Sequence, residues 1–243
     1  MHGDAIVFHT ALEESHARNL FVVQLGDLVD RGPDSAGALP LALDLCDRGT
    51  GLFLRGNHDD KLRRAPRGNP VKIGVELKRT LDAIKTAPDH DTLIPRVLEA
   101  LEGALCGDHL IVHGAFHPMM LMAPNPEAAN PEAVSPRRTA DKCRWLALYG
   151  EGKMSGGEDD LPARTYDWID TVPASLTVIV GHDVISTEKI LERRGTLGGR
   201  VLFCGCGKGG KLSFIDVPRP TIQALVLPGS IDKPPLGAHD PSL

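Results

Sequence analysis

The chain has 243 residues, 42% of them hydrophobic and 24% charged, which is enough for one α/β domain with a large core and does not require a second. Its formal net charge is −5 with no long run of either sign, which excludes a broad electrostatic footprint for nucleic acid, and aromatics at 4% make base stacking an unobvious theme. No apolar stretch is long enough to span a bilayer and no charged-then-apolar leader is present; five cysteines without a C-x-x-C pair read as reduced thiols, so a cytoplasmic protein is expected.

In chain order, a helix is expected over residues 5–18, with Asp4 at its start, where a carboxylate suits the helix dipole. An apolar strand at 20–25 runs into Gly26-Asp27-Leu28-Val29-Asp30-Arg31-Gly32. Asp34 stands as the N-cap of a helix over 35–48. A second apolar strand, 51–54, is followed by Gly56-Asn57-His58-Asp59. Arg63, Arg64 and Arg67 in the basic segment 61–72 either contact substrate phosphates or solvate a helix end. Helical patterns over 75–85 and 92–105 form an inserted pair, and strand 109–112 leads to Val112-His113-Gly114. Residues 117–140 read as a loop whose Met119, Met120 and Met122 serve packing. Short helices are expected over 141–149 and 166–171, and strand 176–180 ends in Val180-Gly181-His182. Strand 200–203 leads through Cys204 into a glycine-rich turn, and strands over 211–217 and 221–227 follow. One domain is expected over 1–226, with 227–243 as a flexible tail. Strands alternating with helices imply an α/β fold with its ligand chemistry at the carboxyl ends of strands.

The chemistry concentrates in the four blocks that follow apolar strands. They offer carboxylate, carboxamide and imidazole donors, a set that suits Mn, Fe or Zn. Taken singly, each has a bland reading: a histidine after a strand is usually an ordinary polar residue, and Asp30-Arg31 alone could be a structural ion pair. Asp59 reads as structural or as support for the site. His9, His16, His90, His109, His117 and His239 match no motif.

The ordered set resembles the calcineurin-like metallophosphoesterases, especially their phosphoprotein-phosphatase branch, over positions 2 to about 210. That family's pattern is D-x-H-G, then G-D-x-x-D-R-G, then G-N-H-D/E, then two histidines. The resemblance implies a four-layer α/β/β/α sandwich and a pair of divalent cations, with Mn favoured and Fe or Zn as alternatives. It places His2 and Asp27 on the first cation, and Asp27, Asn57, His113 and His182 on the second. Two such cations acidify a bridging water whose hydroxide attacks phosphorus in line. Arg31, Asn57 and His58 would bind the phosphoryl group, His58 would protonate the leaving oxygen, and Asp30 would orient His58.

One departure stands out. The family's first block opens with an aspartate two residues before the histidine, and here the histidine is His2. The first strand and one first-cation ligand are therefore missing from the pattern. Either Met1 is an internal residue of a D-M-H-G block, which is the reading favoured here, or the first-cation site is damaged. The expected activity is hydrolysis of a phosphomonoester or phosphoprotein. The alternatives are dinucleoside polyphosphate hydrolysis, a nucleic-acid end phosphatase, and an inert binding protein that keeps the fold. Residues 56–64 and Tyr166-Asp167-Trp168 are similar to the phosphatase module of bacterial polynucleotide kinase-phosphatases, although no kinase P-loop is present. The partner expected is a phosphorylated substrate, with neither a membrane nor a clear protein partner.

Overall fold

Two sheets lie face to face, and helices cover their outer sides. The computed structural model describes residues 1–68, 71–98, 100–122, 136–153, 163–205, 212–217 and 222–224. In chain order these form α1 (Ala5–Ala17), β1 (Val22–Gln24), α2 (Ser35–Asp47), β2 (Gly51–Phe53), α3 (Asn57–Arg64), α4 (Val75–Thr86) and α5 (His90–Leu98). Then come β3 (Gly103–Cys106), β4 (His109–Val112), α6 (Pro136–Tyr149), β5 (Gly152–Lys153), β6 (Ala163–Arg164), β7 (Thr177–Val180), β8 (Leu191–Arg194), β9 (Arg200–Phe203) and β10 (Ile222–Ala224). Strands β1 and β2 pair in parallel, Val22 opposite Gly51. The larger sheet has the order β10-β3-β4-β7-β9-β8, parallel at β4–β7 and β7–β9 and antiparallel elsewhere. A short antiparallel pair, β5–β6, stands apart.

The period of two along the strands builds the layers. Ile111 of β4 and Ile179 of β7 face Leu54, with Val23, Leu25 and Leu52 beside it, in the layer between the sheets. Their neighbours Leu110, Val112, Val178 and Val180 point the other way, onto Cys143, Leu146 and Ala147 of α6 and onto Trp168. The small sheet's outer face packs Phe53 with Ala38, Leu39 and Ala42 of α2 and Leu62 of α3. Each buried Leu, Ile, Val or Phe side chain among these contributes roughly 1.5–3 kcal/mol. The result is the mixed α/β sandwich that the alternating pattern implied. The Asp34 carboxylate caps α2 by accepting from the Gly37 N–H at 2.7 Å, and Asp4 caps α1 in the same way through Val7.

Some expectations are corrected. The helix expected over 92–105 ends at Leu98, and residues 103–106 are strand β3. The Gly107-Asp108 turn, with Gly107 at φ +61°, returns β3 onto β4 as a hairpin, and the apolar residues 104–106 pair with 109–111. Helix α6 begins at Pro136, inside the segment read as loop. Residues 212–217 form no strand, because they find no ladder partner among the described residues. Strand β8 reads Leu-Glu-Arg-Arg; its charges suit a sheet edge, where they discourage further pairing. The glycine-rich turn and the expected tail lie largely outside the described residues.

Among the described residues β1 pairs on one side only. Its other side opens on a cleft of about 390 Å³ lined by Val22, Val23, Leu25, Ile179, Cys204 and Phe214. A smaller cavity of about 110 Å³ shares Val22, Leu25 and Phe214 with it and reaches His2, Asp27 and His182. Among the described residues no helix is long and apolar enough to cross a membrane.

Candidate metal centre

Every block singled out in the sequence follows a strand, and the sheets bring those strand ends together. Asp27 lies three residues past β1, and Asn57 and His58 open α3. His113 directly follows β4, and His182 lies two residues past β7. Backbone hydrogen bonds from the Gly181 and His182 N–H groups to the His113 carbonyl, at 2.9 and 2.8 Å, bind the last two blocks to each other. His2 is held by its own N–H, which donates to the Asp27 carbonyl at 2.7 Å.

Close approach of two loops requires glycine at two positions. Gly26 sits at φ +85°, and a Cβ there would lie 2.6 Å from the Gly56 nitrogen and 2.7 Å from His113 Nδ1. A Cβ on Gly56 would lie 2.3 Å from the Asp27 nitrogen. The non-glycine residues His2, Asp27, Asp30 and Arg31 also adopt positive φ, between 51° and 68°. Left-handed backbone of this kind is strained for side-chain-bearing residues and gathers at functional sites.

The donor atoms converge in two groups that share Asp27. His2, Asp27 and His58 form one, and Asp27, His113 and His182 the other. Asp27 Oδ2 lies 3.5 Å from His2 Nε2, and Oδ1 lies 3.3 Å from His113 Nε2. Two imidazoles have their tautomers set from behind: His2 Nδ1 donates to the Val29 carbonyl at 3.3 Å, and His113 Nδ1 to the Leu25 carbonyl at 2.7 Å. Each therefore turns a bare Nε2 toward Asp27. The Asn57 carboxamide lies within 3.3 Å of both Asp27 oxygens, His113 Nε2 and His182 Nδ1. Lone pairs crowded in this way fit a cation, and imidazole with carboxylate and carboxamide is a donor set that suits a divalent metal. Asp59 supports the arrangement from beneath, accepting from the Leu28 and Gly56 N–H groups at 3.0 and 2.8 Å.

Beside these groups, His58 Nδ1 donates to Asp30 Oδ2 at 2.6 Å, and the Thr80 hydroxyl donates to Asp30 Oδ1 at 2.6 Å. His58 Nε2 is thereby aimed into the site, 3.2 Å from Arg31 Nη2. Arg31 Nη1 reaches His2 Nε2 at 2.9 Å. The structure adds one residue that the sequence reading did not single out. Arg164 contacts His182 Nε2, lies 3.0 Å from Asp183 and donates to the Tyr149 carbonyl at 2.5 Å. A lone arginine outside any motif carries no sequence signal. Arg31 and Arg164 thus present guanidinium charge on both flanks of the donor set. Arg63 and Arg64 turn toward Asp60, at 2.7 and 3.5 Å, and take no position among the converging donors.

Burial shapes the titration of these groups. It brings His2 down to about 4 against the pull of Asp27, and it brings His182 down to about 3, helped by His113. Burial also raises Asp59 to about 6, with the Asp27 charge adding to it. Burial would push Asp27 up as well, but His113, His58 and His2 hold it well below the usual carboxylate range. His113, despite its burial, is lifted by Asp27. An unfolded chain takes up protons on histidine near pH 6.5, whereas folded His2 and His182 do so only near 4 and 3. The unfolded state therefore binds more protons between those values, and stability falls as the pH drops through that window. His113 acts in the opposite sense, its contribution fading only above pH 6.5. The unfolding free energy of chelator-treated protein, from urea titration, is expected to fall between pH 7 and 4.5, by on the order of 2 kcal/mol from His2 alone, with the raised Asp59 working in the opposite sense and offsetting part of the total. A flat or rising value would contradict this.

Residues 1–186 match the calcineurin-like phosphoesterase family. The chain is 25% identical over 211 residues to the asymmetrical bis(5'-nucleosyl)-tetraphosphatase PrpE of Bacillus velezensis, covering 84% of this chain and 76% of that protein. It is 40% identical over 209 residues to the PrpE of Oceanobacillus iheyensis, with the same coverage. Among solved structures, a hypothetical protein from Pyrococcus horikoshii superposes with a TM-score of 0.50 at 15% identity, covering 84% of this chain and 73% of that one.

Proposed function

Because the chain belongs to the calcineurin-like phosphoesterase family, we propose that it is a metal-dependent hydrolase of dinucleoside polyphosphates, cleaving a phosphoanhydride bond at the Asp27 centre. The family is metal-dependent, typically with two divalent ions. The observation that carries the reading is the position of Asp27, one oxygen turned to each histidine group. His2 and Asp27 would hold a first cation, and Asp27, Asn57, His113 and His182 a second, with Mn²⁺ favoured by the oxygen and imidazole donors. Bound there, such cations supply an acidified water and neutralise charge on the phosphoryl oxygens.

The chain's own residues do the rest. Arg31 and Arg164 bracket the centre and grip phosphoryl oxygens, a task that suits the planar guanidinium. His58 is held by Asp30 with its Nε2 facing the site, and delivers a proton to the departing phosphate oxygen. Thr80 fixes Asp30 in turn. Buried carbonyls behind His2 and His113 keep the ligand nitrogens bare. Phosphomonoesters and phosphoproteins become secondary substrates in this reading. The named activity of the PrpE relatives favours dinucleoside polyphosphates over them.

The test is incubation with diadenosine tetraphosphate and Mn²⁺, followed by separation of the products. ATP plus AMP supports the reading and identifies the cleavage as asymmetrical; ADP alone indicates symmetrical cleavage. Turnover of p-nitrophenyl phosphate or a phosphopeptide without any cleavage of the dinucleotide would replace the reading with the monoesterase one.

A further inference from the structure

Trp145 is 57% exposed, whereas Trp168 is buried in the core. Leaving a large indole in water forgoes the burial that this side chain usually gains. The Trp145 ring is not loose on the surface. It stacks on Tyr149, one turn further along α6, with centroids 4.2 Å apart and planes 21° from parallel. Tyr149 is itself anchored, its hydroxyl donating to Asp60 Oδ2 at 3.4 Å. Asp60 belongs to α3, the helix that opens with Asn57 and His58. The Tyr149 carbonyl accepts from Arg164, which also contacts the ligand His182. The end of α6 packs against the loop carrying His113, since the Gly114 N–H donates to the Ala147 carbonyl at 2.6 Å.

We propose that Trp145, backed by Tyr149, is a stacking platform for a nucleobase of the substrate, set beside the metal centre; this rests on the nucleotide reading above. The geometry supplies what a base needs and a simple phosphate does not. A flat aromatic face is pre-aligned by a second ring, so little freedom is lost when a base lies on it. Every base has a π face, so the platform accepts purines without hydrogen-bond readout. Arg164 contacts the Tyr149 carbonyl and His182, tying the end of α6 to the centre, and offers a guanidinium for the polyphosphate there. Arg64, 3.5 Å from Asp60, adds positive charge on the α3 side.

The experiment compares wild type, W145A and W145F in Mn²⁺, with diadenosine tetraphosphate and p-nitrophenyl phosphate as substrates. The ratio of kcat/KM values, dinucleotide over nitrophenyl ester, is expected to fall about 10- to 100-fold in W145A, mainly through KM, and to recover largely in W145F. Independently of turnover, AMP is expected to quench tryptophan emission in wild type and not in W145F, and ribose 5-phosphate to quench neither. An unchanged ratio in W145A overturns the platform, as does equal quenching by ribose 5-phosphate. If wild type turns over the nitrophenyl ester but not the dinucleotide, the substrate reading fails. The platform then stands or falls on AMP quenching alone.

Discussion

Asp27→Asn is expected to abolish cation binding at both groups and to reduce phosphoester turnover by roughly 10³-fold or more, since the variant removes a charge that both groups share. Asparagine keeps the shape of the side chain but offers one neutral oxygen. It cannot balance His2 on one side and His113 on the other, 3.5 and 3.3 Å away. Calorimetric titration with Mn²⁺ is the direct measurement, with p-nitrophenyl phosphate hydrolysis beside it. In wild type the two binding steps should differ, because both groups share Asp27 and two imidazoles, but Asn57 lies beside the His113 and His182 nitrogens while His58 in the other group is tied to Asp30. Retention of both steps in Asp27→Asn would remove Asp27 from the centre of the mechanism.

The second large effect belongs to His58→Ala. A general acid contributes about 10²–10⁴-fold, and only where the leaving oxygen needs its proton. Hydrolysis of a simple alkyl phosphate should fall by that amount, whereas p-nitrophenyl phosphate and a phosphoanhydride, whose leaving oxygens are weak bases, should fall far less. Asp30→Asn should reproduce part of the loss and shift the pH profile, because the 2.6 Å hydrogen bond to Nδ1 orients the ring. Equal losses for good and poor leaving groups would assign His58 to binding instead of proton delivery.

The sequence made the centre more legible than its surroundings. Asp27, Asn57, His113 and His182 each follow a short apolar run, and a strand end is a place where backbone pattern and polar chemistry coincide. The strands at 109–112 and 200–203 fall where the apolar runs put them. Strand β3 was hidden because residues 92–105 carry helical spacing, and only the Gly107-Asp108 turn signals the hairpin. Strand β8 was hidden because an edge strand here is charged rather than apolar. The contact of Arg164 with the centre and the exposed ring stack at Trp145 were not legible at all. Arg164 meets His182 only in the fold, and the Trp145–Tyr149 stack, local to α6, is placed by the distant Asp60.

The left-handed backbone at His2, Asp27, Asp30 and Arg31 has a consequence for how this protein can change. A residue with a side chain gives up about 1–2 kcal/mol in that conformation, less for aspartate, whose short polar side chain can bond locally. Glycine at any of them would relieve the local backbone strain while deleting a group from the centre. Stability and activity therefore pull in opposite directions at these positions. A library screened for thermal tolerance alone would drift toward glycine there, and one screened for turnover would hold the strained residues in place.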